Sequence, residues 1–185
     1  MRYDIRLVEP GEWRKSKELR LAALLDPVSA VAFERSYAEE SVLSDEAWQQ
    51  RASGAGAQQF VAVSSTGSSR RSGRDSHAVR DSQDSQDDVE WVGMLAVVVE
   101  RPDYLSINAV YLRPEARGTG LAEKLFAAAI AWVWDRADRV YLWVHQDNAR
   151  AEAFYRRFGF TRTGEAVAYR RDPSLTEYEM VLTRT

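Results

Sequence analysis

The segment Arg117-Gly118-Thr119-Gly120-Leu121-Ala122 lies between a predicted strand and a predicted helix. A strand-to-helix turn exposes several unpaired backbone N–H groups, and the helix dipole makes that end positive. Glycine at positions 118 and 120 removes the Cβ atoms that would keep a bound group away from the backbone. The turn is therefore predicted to bind a pyrophosphate, with Arg117 as charged donor and the backbone amides of Gly118, Thr119, Gly120, Leu121 and Ala122.

This turn differs from two common phosphate-binding motifs. It is not a P-loop, because no Gly-Lys-Ser/Thr comes after it, and Glu123 replaces the third glycine of a dinucleotide-binding fingerprint. A lone Gly-x-Gly is also compatible with a bare tight turn. The phosphate hypothesis therefore depends on a second motif further along the chain.

That second motif, Asn148-x-x-Ala151-x-x-Phe154-Tyr155-x-x-x-Gly159-Phe160, comes after the next predicted strand. Asn148, Ala151 and Tyr155 share one helical face, and Gly159 marks the predicted C-terminal end of that helix. Core packing beside the neighbouring phenylalanines is the simpler interpretation of Tyr155. A functional role is the alternative.

Together, the two motifs resemble the acetyl-CoA site of the GNAT superfamily of N-acetyltransferases. Arg117, Gly120 and Ala122 match the family pattern Arg/Gln-x-x-Gly-x-Gly/Ala, and the second motif shows no departure. The resemblance extends from the first strand to the C-terminus and is strongest over residues 108–160. It implies acetyl-CoA as cosubstrate, no metal, and direct attack of a primary amine on the acetyl group in a ternary complex.

The resemblance also implies roles for individual residues. In the family, the strand before the turn parts from the strand after the helix, and the gap holds the pantetheine arm against the backbone, here that of Val110, Tyr111 and Leu112. The Leu112 amide is the expected donor to the oxyanion, and the Tyr155 hydroxyl is the expected general acid for the thiolate. Asn148 is expected either to cap its helix or to hold the cofactor arm.

The general base and the acceptor pocket stay open. The candidate bases are Asp103, His145 and Glu34, and for each a surface charge or a satisfied polar group is the simpler interpretation.

The candidate acceptor-binding residues are Phe33, Glu34, Tyr37 and Tyr169. With Glu40 nearby, such a pocket would suit a cationic amine. The acceptor is either a small molecule (a polyamine, an amino acid or an aminoglycoside) or a protein N-terminus or lysine.

Around these motifs, the hydrophobic pattern predicts an α/β protein with the element order of the GNAT fold. The expected core is a mixed, mostly antiparallel sheet of about seven strands flanked by about four helices. Strands are predicted over residues 2–8, 59–63, 90–100, 105–112, 139–145, 160–170 and 177–183. Helical regions are predicted over 13–25, 29–52, 118–137 and 147–158, and Ser44 is a predicted capped helix start inside the second of them.

Residues 64–88 consist almost entirely of Ser, Gly, Arg, Asp and Gln. Such a composition buries too little apolar surface to offset the entropy of ordering, so this segment is predicted to be a disordered insertion between two strands. The chain as a whole, residues 1–185, is predicted to be one domain that contains this insertion.

Composition narrows the range of partners. The chain has no cysteine, which excludes disulfides and thiolate metal ligands, and its net charge of −3 argues against nucleic acid. No apolar run approaches the ~18 residues of a membrane span, and the N-terminus lacks the apolar core of a signal peptide, so a cytoplasmic protein is expected.

Three functional alternatives remain at this point. The first is the enzyme, either as a monomer or, as is common in the family, as a homodimer. The second is a non-catalytic acyl-CoA-binding sensor or interaction module of the same fold. The third is an acidic scaffold that recruits partners through residues 64–88.

Overall fold

Seven strands form one mixed sheet in the computed structural model, which describes residues 2–65 and 89–185. Their order across the sheet is β1-β2-β3-β4-β5-β7-β6; β4 and β5 run parallel, and every other neighbouring pair is antiparallel. The strands are β1 (Arg2–Leu7), β2 (Ala57–Ser65), β3 (Val89–Arg101), β4 (Tyr104–Leu112), β5 (Arg139–His145), β6 (Thr161–Tyr169) and β7 (Asp172–Thr183).

Six α-helices accompany the sheet within the described residues, and the whole confirms the predicted fold class. Short 3₁₀ turns precede the first helix at Pro10–Glu12 and the fifth at Pro114–Ala116. In the same part of the chain, every helix is too short or too polar to span a membrane. The helices are α1 (Trp13–Leu25), α2 (Ser29–Ala32), α3 (Tyr37–Ser41), α4 (Asp45–Ala52), α5 (Leu121–Trp134) and α6 (Ala149–Phe158).

Two hydrophobic cores cover the two faces of the sheet. Alternate residues of β2 separate them: Phe60 and Ala62 pack with α5 and α6, whereas Val61 and Val63 pack with α1 and α4. This alternation results from the two-residue period of a strand. Phe126 of α5 is fully buried at the centre of the first core. Its ring contacts three rings of α6 and one just beyond that helix: Phe154, Tyr155, Phe158 and Phe160.

The helical region predicted over residues 29–52 consists of three separate helices, α2, α3 and α4, and the helix start predicted at Ser44 is confirmed. Phe33 is extended (φ −140°, ψ 131°) and ends α2. Ser36 and Ser44 then begin new helices by accepting the N–H of Glu39 and of Ala47. Serine side chains compete for backbone groups in this way and favour caps over helix interiors.

The helix predicted over residues 118–137 begins later and ends earlier, as α5. Gly118 and Gly120 adopt φ values of +73° and +79°, which lie outside the right-handed helical region. They therefore form the turn, and the helix begins at Leu121.

The insertion predicted over residues 64–88 begins later than expected. Ser64 and Ser65 belong to β2, where Ser64 pairs with Tyr3 on one side and Glu90 on the other. Pairing with strands on both sides outweighs the polar composition. Residues 66–88 of the insertion lie outside the described residues.

Candidate active site

A bulge in β4 opens the sheet beside its parallel neighbour. Met94 pairs with Tyr111 and Ala96 with Asn108, so two residues of β4 lie opposite Leu95. One of them, Ala109, has a left-handed φ of 54°, which is uncommon for alanine. A bulge of this kind bends its strand.

Beyond the bulge, β4 and β5 separate. Within the described residues, the two strands pair at one register position, Ser106 with Tyr141. A cavity of about 790 Å³ is lined by residues 107–112 of β4 and residues 143–145 of β5. Such a cavity, at the point where parallel strands part, is a typical ligand site.

The predicted phosphate turn, residues 117–122, borders this cavity at the start of α5. A Cβ added at Gly118 or Gly120 would meet no described atom within 4 Å. Both glycines also line the cavity, so the space beside them is open to a ligand. The N-cap residue of α5 is Gly120, which has no side chain to bind the first helix amides. Thr119 lies behind the lining, where its hydroxyl donates to Ala116 C=O at 2.7 Å.

Arg117 also lines the cavity, and two protein groups fix its side chain. Nη2 lies 2.5 Å from Asp26 Oδ2, and Nε donates to the Leu112 C=O at 3.0 Å. Burial acts to raise the pKa of Asp26, but the Val28 N–H and Arg117 outweigh it and hold the pKa below its usual value. The sequence contains no signal for this role of Asp26, because its partner Arg117 is distant in the chain.

The backbone of Leu112 is oriented toward the gap. Arg113 N–H donates to the Val92 C=O at 2.8 Å, whereas Leu112 lies opposite Gly93. Because backbone groups alternate in direction along an antiparallel strand, the N–H and C=O of Leu112 point away from β3. The Leu112 C=O accepts the Arg117 Nε–H, and the Leu112 N–H points into the gap between β4 and β5.

Tyr155 lines the cavity from α6 and is 8% exposed. Its ring packs against Phe126 and Phe160 of the first core. Burial raises the pKa of Tyr155 to about 12. The hydroxyl therefore stays protonated at neutral pH, as an acid must. The packing and functional interpretations of this residue are compatible.

Asn148 is the N-cap of α6 and also joins α6 to α2. Its Oδ1 accepts the Ala151 N–H at 3.2 Å, and its Nδ2 donates to the Val31 C=O at 3.2 Å. Both ends of the amide are used within the protein. Asn148 and Val31 both line the cavity, so this side chain sets the separation of two of its walls.

Side chains from the β6–β7 turn hold the wall formed by residues 29–34. The Tyr169 hydroxyl donates to the carbonyls of Ala30 and Phe33, at 2.9 and 2.7 Å. Arg170 donates to the Glu34 C=O at 3.2 Å, and Arg171 to that of Ser29 at 3.1 Å. Tyr169 itself lies behind the lining, so its geometry is that of a support.

The other acceptor candidates are distributed inside and outside the cavity. Phe33, Glu34 and Val110 are among the residues that line it. Tyr37 and Asp103 are not among the described residues that line the cavity. Tyr37 is an exposed residue at the start of α3, and Asp103 lies at the opposite end of β4, where it pairs with Arg101 at 3.2 Å.

Glu40 lines the cavity, but its charge is compensated. Arg20 lies 2.8 Å from one carboxylate oxygen and Arg51 2.9 Å from the other. Burial acts to raise the pKa of Glu40, and the two arginines lower it below its usual value. A paired carboxylate of this kind offers little attraction to a cation.

His145 and Glu177 are opposite each other in the β5–β7 register, and both line the cavity. They are 2% and 7% exposed. Among the described residues, His145 Nε2 and Glu177 Oε2 have no hydrogen-bond partner. Burial, together with the negative charge of Glu34, raises the pKa of Glu177 to about 7.

Glu177 was missed by sequence reasoning. Only the pairing of β5 with β7, which places the Glu177 carboxylate directly opposite His145, could have indicated its role. That pairing cannot be deduced from spacing, because α6 and β6 intervene between the two strands.

Comparison with known proteins identifies the family of the chain. The model of the acetyltransferase (GNAT) family matches residues 31–160. The chain therefore belongs to this family.

Among characterised relatives, the chain is 43% identical over 79 residues to a mycothiol acetyltransferase of Salinispora arenicola (strain CNS-205). It is 39% identical over 64 residues to a mycothiol acetyltransferase of an Arthrobacter species (strain FB24). The matches cover 40% and 34% of this chain but only 26% and 20% of those proteins. The chain thus spans about a quarter or less of their length.

Two solved structures resemble the whole chain. An acetyltransferase of the GNAT family from Streptococcus pneumoniae superimposes with a TM-score of 0.69 at 16% identity, covering 100% of both chains. Arabidopsis thaliana NAA60 in complex with acetyl-CoA superimposes with a TM-score of 0.66 at 15% identity, covering 98% of this chain and 99% of that one. At these identities the likeness establishes the fold alone.

Proposed function

We propose that this protein is an N-acetyltransferase that moves the acetyl group of acetyl-CoA to a primary amine in a ternary complex. One observation carries the proposal: a single cavity joins the open glycine turn, the gap between β4 and β5, and Tyr155. Membership of the acetyltransferase (GNAT) family supports it. The acetyl-CoA complex of the structurally similar NAA60 supports the choice of cosubstrate.

The residues at the turn fit acetyl-CoA. Uncapped amides at the start of α5 and the space beside Gly118 and Gly120 suit a pyrophosphate. Arg117 adds a positive charge, although it shares that charge with Asp26. The backbone of Val110, Tyr111 and Leu112, next to the gap, would hold the pantetheine arm, and Asn148 would fix the opposite wall. When bound, acetyl-CoA supplies the acetyl group as a thioester.

Two groups of this chain would assist the transfer. The Leu112 N–H, directed into the gap, would donate to the acetyl oxygen as that oxygen gains negative charge. The Tyr155 hydroxyl would give its proton to the departing sulfur. Because burial raises the pKa of Tyr155 to about 12, the hydroxyl holds that proton at every pH used in an ordinary assay.

The acceptor is proposed to be a primary amine on a small molecule, a protein N-terminus or a lysine. Relatives named mycothiol acetyltransferase support a small-molecule acceptor, and a similar structure named ribosomal-protein-S18-alanine N-acetyltransferase supports a protein acceptor. Either kind carries a cationic ammonium group at neutral pH. A homodimer and a cytoplasmic location remain part of the proposal.

Release of CoA from acetyl-CoA tests the function directly. A panel of small amines and N-terminal peptides is compared with reactions lacking acceptor, and acetyl-CoA binding is followed separately by thermal shift. Turnover on one class of amine is the expected result. Thermal stabilisation without turnover on any amine would favour an acyl-CoA sensor. The absence of both stabilisation and turnover would overturn the assignment of the phosphate turn.

A further inference from the structure

Two acidic residues of β7 are buried, and they differ in their partners. Glu179 accepts the Tyr104 hydroxyl at 2.5 Å and the Thr163 hydroxyl at 2.7 Å. Glu177, two residues earlier on the same face, leaves Oε2 without a hydrogen bond from any described residue. Buried polar groups in proteins are almost always paired, so an exception of this kind needs an explanation. Glu179 has a structural one, whereas Glu177 faces the cavity.

Glu34 places a second carboxylate beside Glu177. Glu34 is exposed at the cavity wall, in the segment that Tyr169 and Arg170 hold in place. Its negative charge acts on Glu177 and, after burial, is the second cause of the raised pKa of that carboxyl. Two adjacent carboxylates repel each other unless a proton or a cation lies between them.

His145 is suited to donate at this site. Its Nδ1 accepts the Asp147 N–H at 3.1 Å, so the proton of the neutral imidazole is assigned to Nε2. Nε2 therefore has no free lone pair and cannot take a proton from a substrate. Of the two unpartnered buried atoms, Glu177 Oε2 is the one that can accept.

We infer that Glu34 and Glu177 form the binding site for the ammonium group of the acceptor, and that Glu177 Oε2 is the general base that takes its proton. Glu34, at the rim, attracts the cation, and Glu177, within the cavity, accepts the proton. His145, opposite Glu177, offers its unpartnered Nε2–H as a donor to a bound group and is not the base. This inference rests on the proposed function and adds the class of acceptor, a cationic primary amine.

The proton transfers balance. A bond forms between the amine nitrogen and the acetyl carbon, and the bond from that carbon to sulfur breaks. The ammonium nitrogen gives up two protons: one goes to Glu177, and the other replaces the proton that Tyr155 gives to sulfur. The products are the acetylated amine, the thiol and one proton, which Glu177 releases to solvent.

A binding titration tests the site without acetyl-CoA. The full chain, with ¹³C-labelled glutamate, is titrated with n-butylamine and, for comparison, with uncharged n-butanol. We expect the amine to shift the carboxyl signal of Glu177 and to lower its apparent pKa, because a cation favours the carboxylate, while butanol does neither. Equal responses to the two compounds, or no response to either, would overturn the site.

Variants assign the response to the carboxylate pair. Glu177→Gln is expected to abolish the amine response and Glu34→Gln to weaken it at least about tenfold, the loss of one charge-assisted contact. Glu179→Gln, the same change at the paired glutamate of β7, is expected to keep it. A Glu177→Gln protein that still binds the amine normally would contradict the assignment.

The pH profile tests the base. With an amine found active in the CoA-release assay, kcat/KM of the wild type is expected to fall below about pH 7, as Glu177 becomes protonated. Glu177→Gln is expected to lower turnover at least about a hundredfold. Its kcat/KM should also no longer show the fall below about pH 7. Among the described residues, Glu34, His145 and Tyr169 act on Glu177 or lie opposite it, while Arg171 acts on Tyr169 and Asp172 interacts with His145.

The outcomes separate the two proposals. Turnover that Glu177→Gln leaves unchanged would keep the proposed function and overturn Glu177 as base. An amine response at Glu177 in a protein that acetylates no amine would keep the cation site, and the proton-transfer step would fall together with the proposed function.

Discussion

At one end of the cavity the proposed functional groups are backbone amides of residues 118–122, whereas at the other they are the side chains of Glu34, His145 and Glu177. The backbone end needs a particular chain conformation, and Gly118 and Gly120 supply it with φ values of +73° and +79°. The side-chain end needs three residues from separate elements to converge. The first arrangement is local in the chain, and the second exists only once the sheet has formed.

The largest effect is expected from Gly120→Trp at the backbone end. A Cβ at Gly120 points into open space, so the indole would fill the proposed phosphate site rather than the core. Loss of two charge-assisted hydrogen bonds, each worth ~1.5–3 kcal/mol, would weaken acetyl-CoA binding at least ~100-fold. Isothermal titration calorimetry measures this loss.

Gly164→Trp is the matched control for that substitution. Gly164 also has a left-handed φ, +103°, and a Cβ there meets no described atom within 4 Å. Both variants bear the conformational cost of about 1–2 kcal/mol, but only Gly120→Trp should lose the ligand. A folded Gly120→Trp protein that binds acetyl-CoA normally would contradict the phosphate assignment.

Tyr155→Phe is expected to have the next largest effect, between the two ends. Removing a general acid lowers kcat by at least about tenfold, while acetyl-CoA affinity should stay nearly unchanged. Tyr141→Phe removes a hydroxyl from a tyrosine stacked on Tyr104, away from the cavity lining, and should leave kcat as it is. Steady-state kinetics and calorimetry together separate turnover from binding. Unchanged turnover would remove Tyr155 from the mechanism.

The pH dependence of that step results from the burial of Tyr155. Burial raises its pKa from 10.0 to about 12, so the protonated form is retained to higher pH in the folded chain than in the unfolded chain. The resulting stability is fully present below pH 10.0 and is lost as the pH rises toward 12. Deprotonation of Tyr155 should therefore not lower the turnover of the wild type near pH 10.0. A decline centred near pH 10.0 that is absent from Tyr155→Phe would contradict this expectation.

The difference between the two ends explains which parts of the site were predictable from the sequence. Arg117, Gly120 and Ala122 lie within six consecutive residues, so their chemistry was visible as a pattern. Strand and helix periods gave most element positions for the same local reason. Glu177, in contrast, owes its proposed role to its position opposite His145 and near Glu34, and Asp26 owes its position in the site to the ion pair with Arg117. Neither position is distinctive until the chain has folded.

At the side-chain end, the buried carboxylate of Glu177 should lower the free energy of unfolding at alkaline pH, and Glu177→Gln tests this. In the unfolded chain Glu177 ionises near 4.5, whereas in the folded chain its pKa is about 7. Its contribution to stability is therefore full below pH 4.5 and is lost as the pH rises through 7. Glu177→Gln should be more stable than the wild type at about pH 8, by about 1–3 kcal/mol, the range for a buried group left unpaired.

Urea unfolding at about pH 8 and about pH 4.5 measures that difference, which should shrink at the lower pH. Glu179→Gln should lack this gain, because Tyr104 and Thr163 already satisfy its carboxylate. A Glu177→Gln protein less stable than the wild type at the higher pH would show that Glu177 supports the fold instead.

A smaller effect is expected where the two ends are joined, at Asn148. Asn148→Ala removes the cap of α6 and the hydrogen bond to Val31, while Ser44→Ala removes a cap of α4 with the same geometry and no bridge. Each should cost about 1 kcal/mol in urea unfolding. Only Asn148→Ala should also raise the KM for the amine, because the wall at residues 29–34 loses a support. Equal kinetic effects would show that the bridge is irrelevant to the site.

The smallest effect on either end is expected from replacing residues 66–88 with Asn-Gly. Ser65 and Val89 are paired at the end of β2 and β3, and a two-residue turn of this kind closes such a hairpin. Because closing a long loop costs entropy, shortening it should raise stability by up to ~2 kcal/mol. kcat, KM and acetyl-CoA affinity should all match those of the wild type. A loss of amine turnover on deletion would instead mean that this polar segment contributes to acceptor binding, and the cavity at β4 and β5 would be only part of the active site.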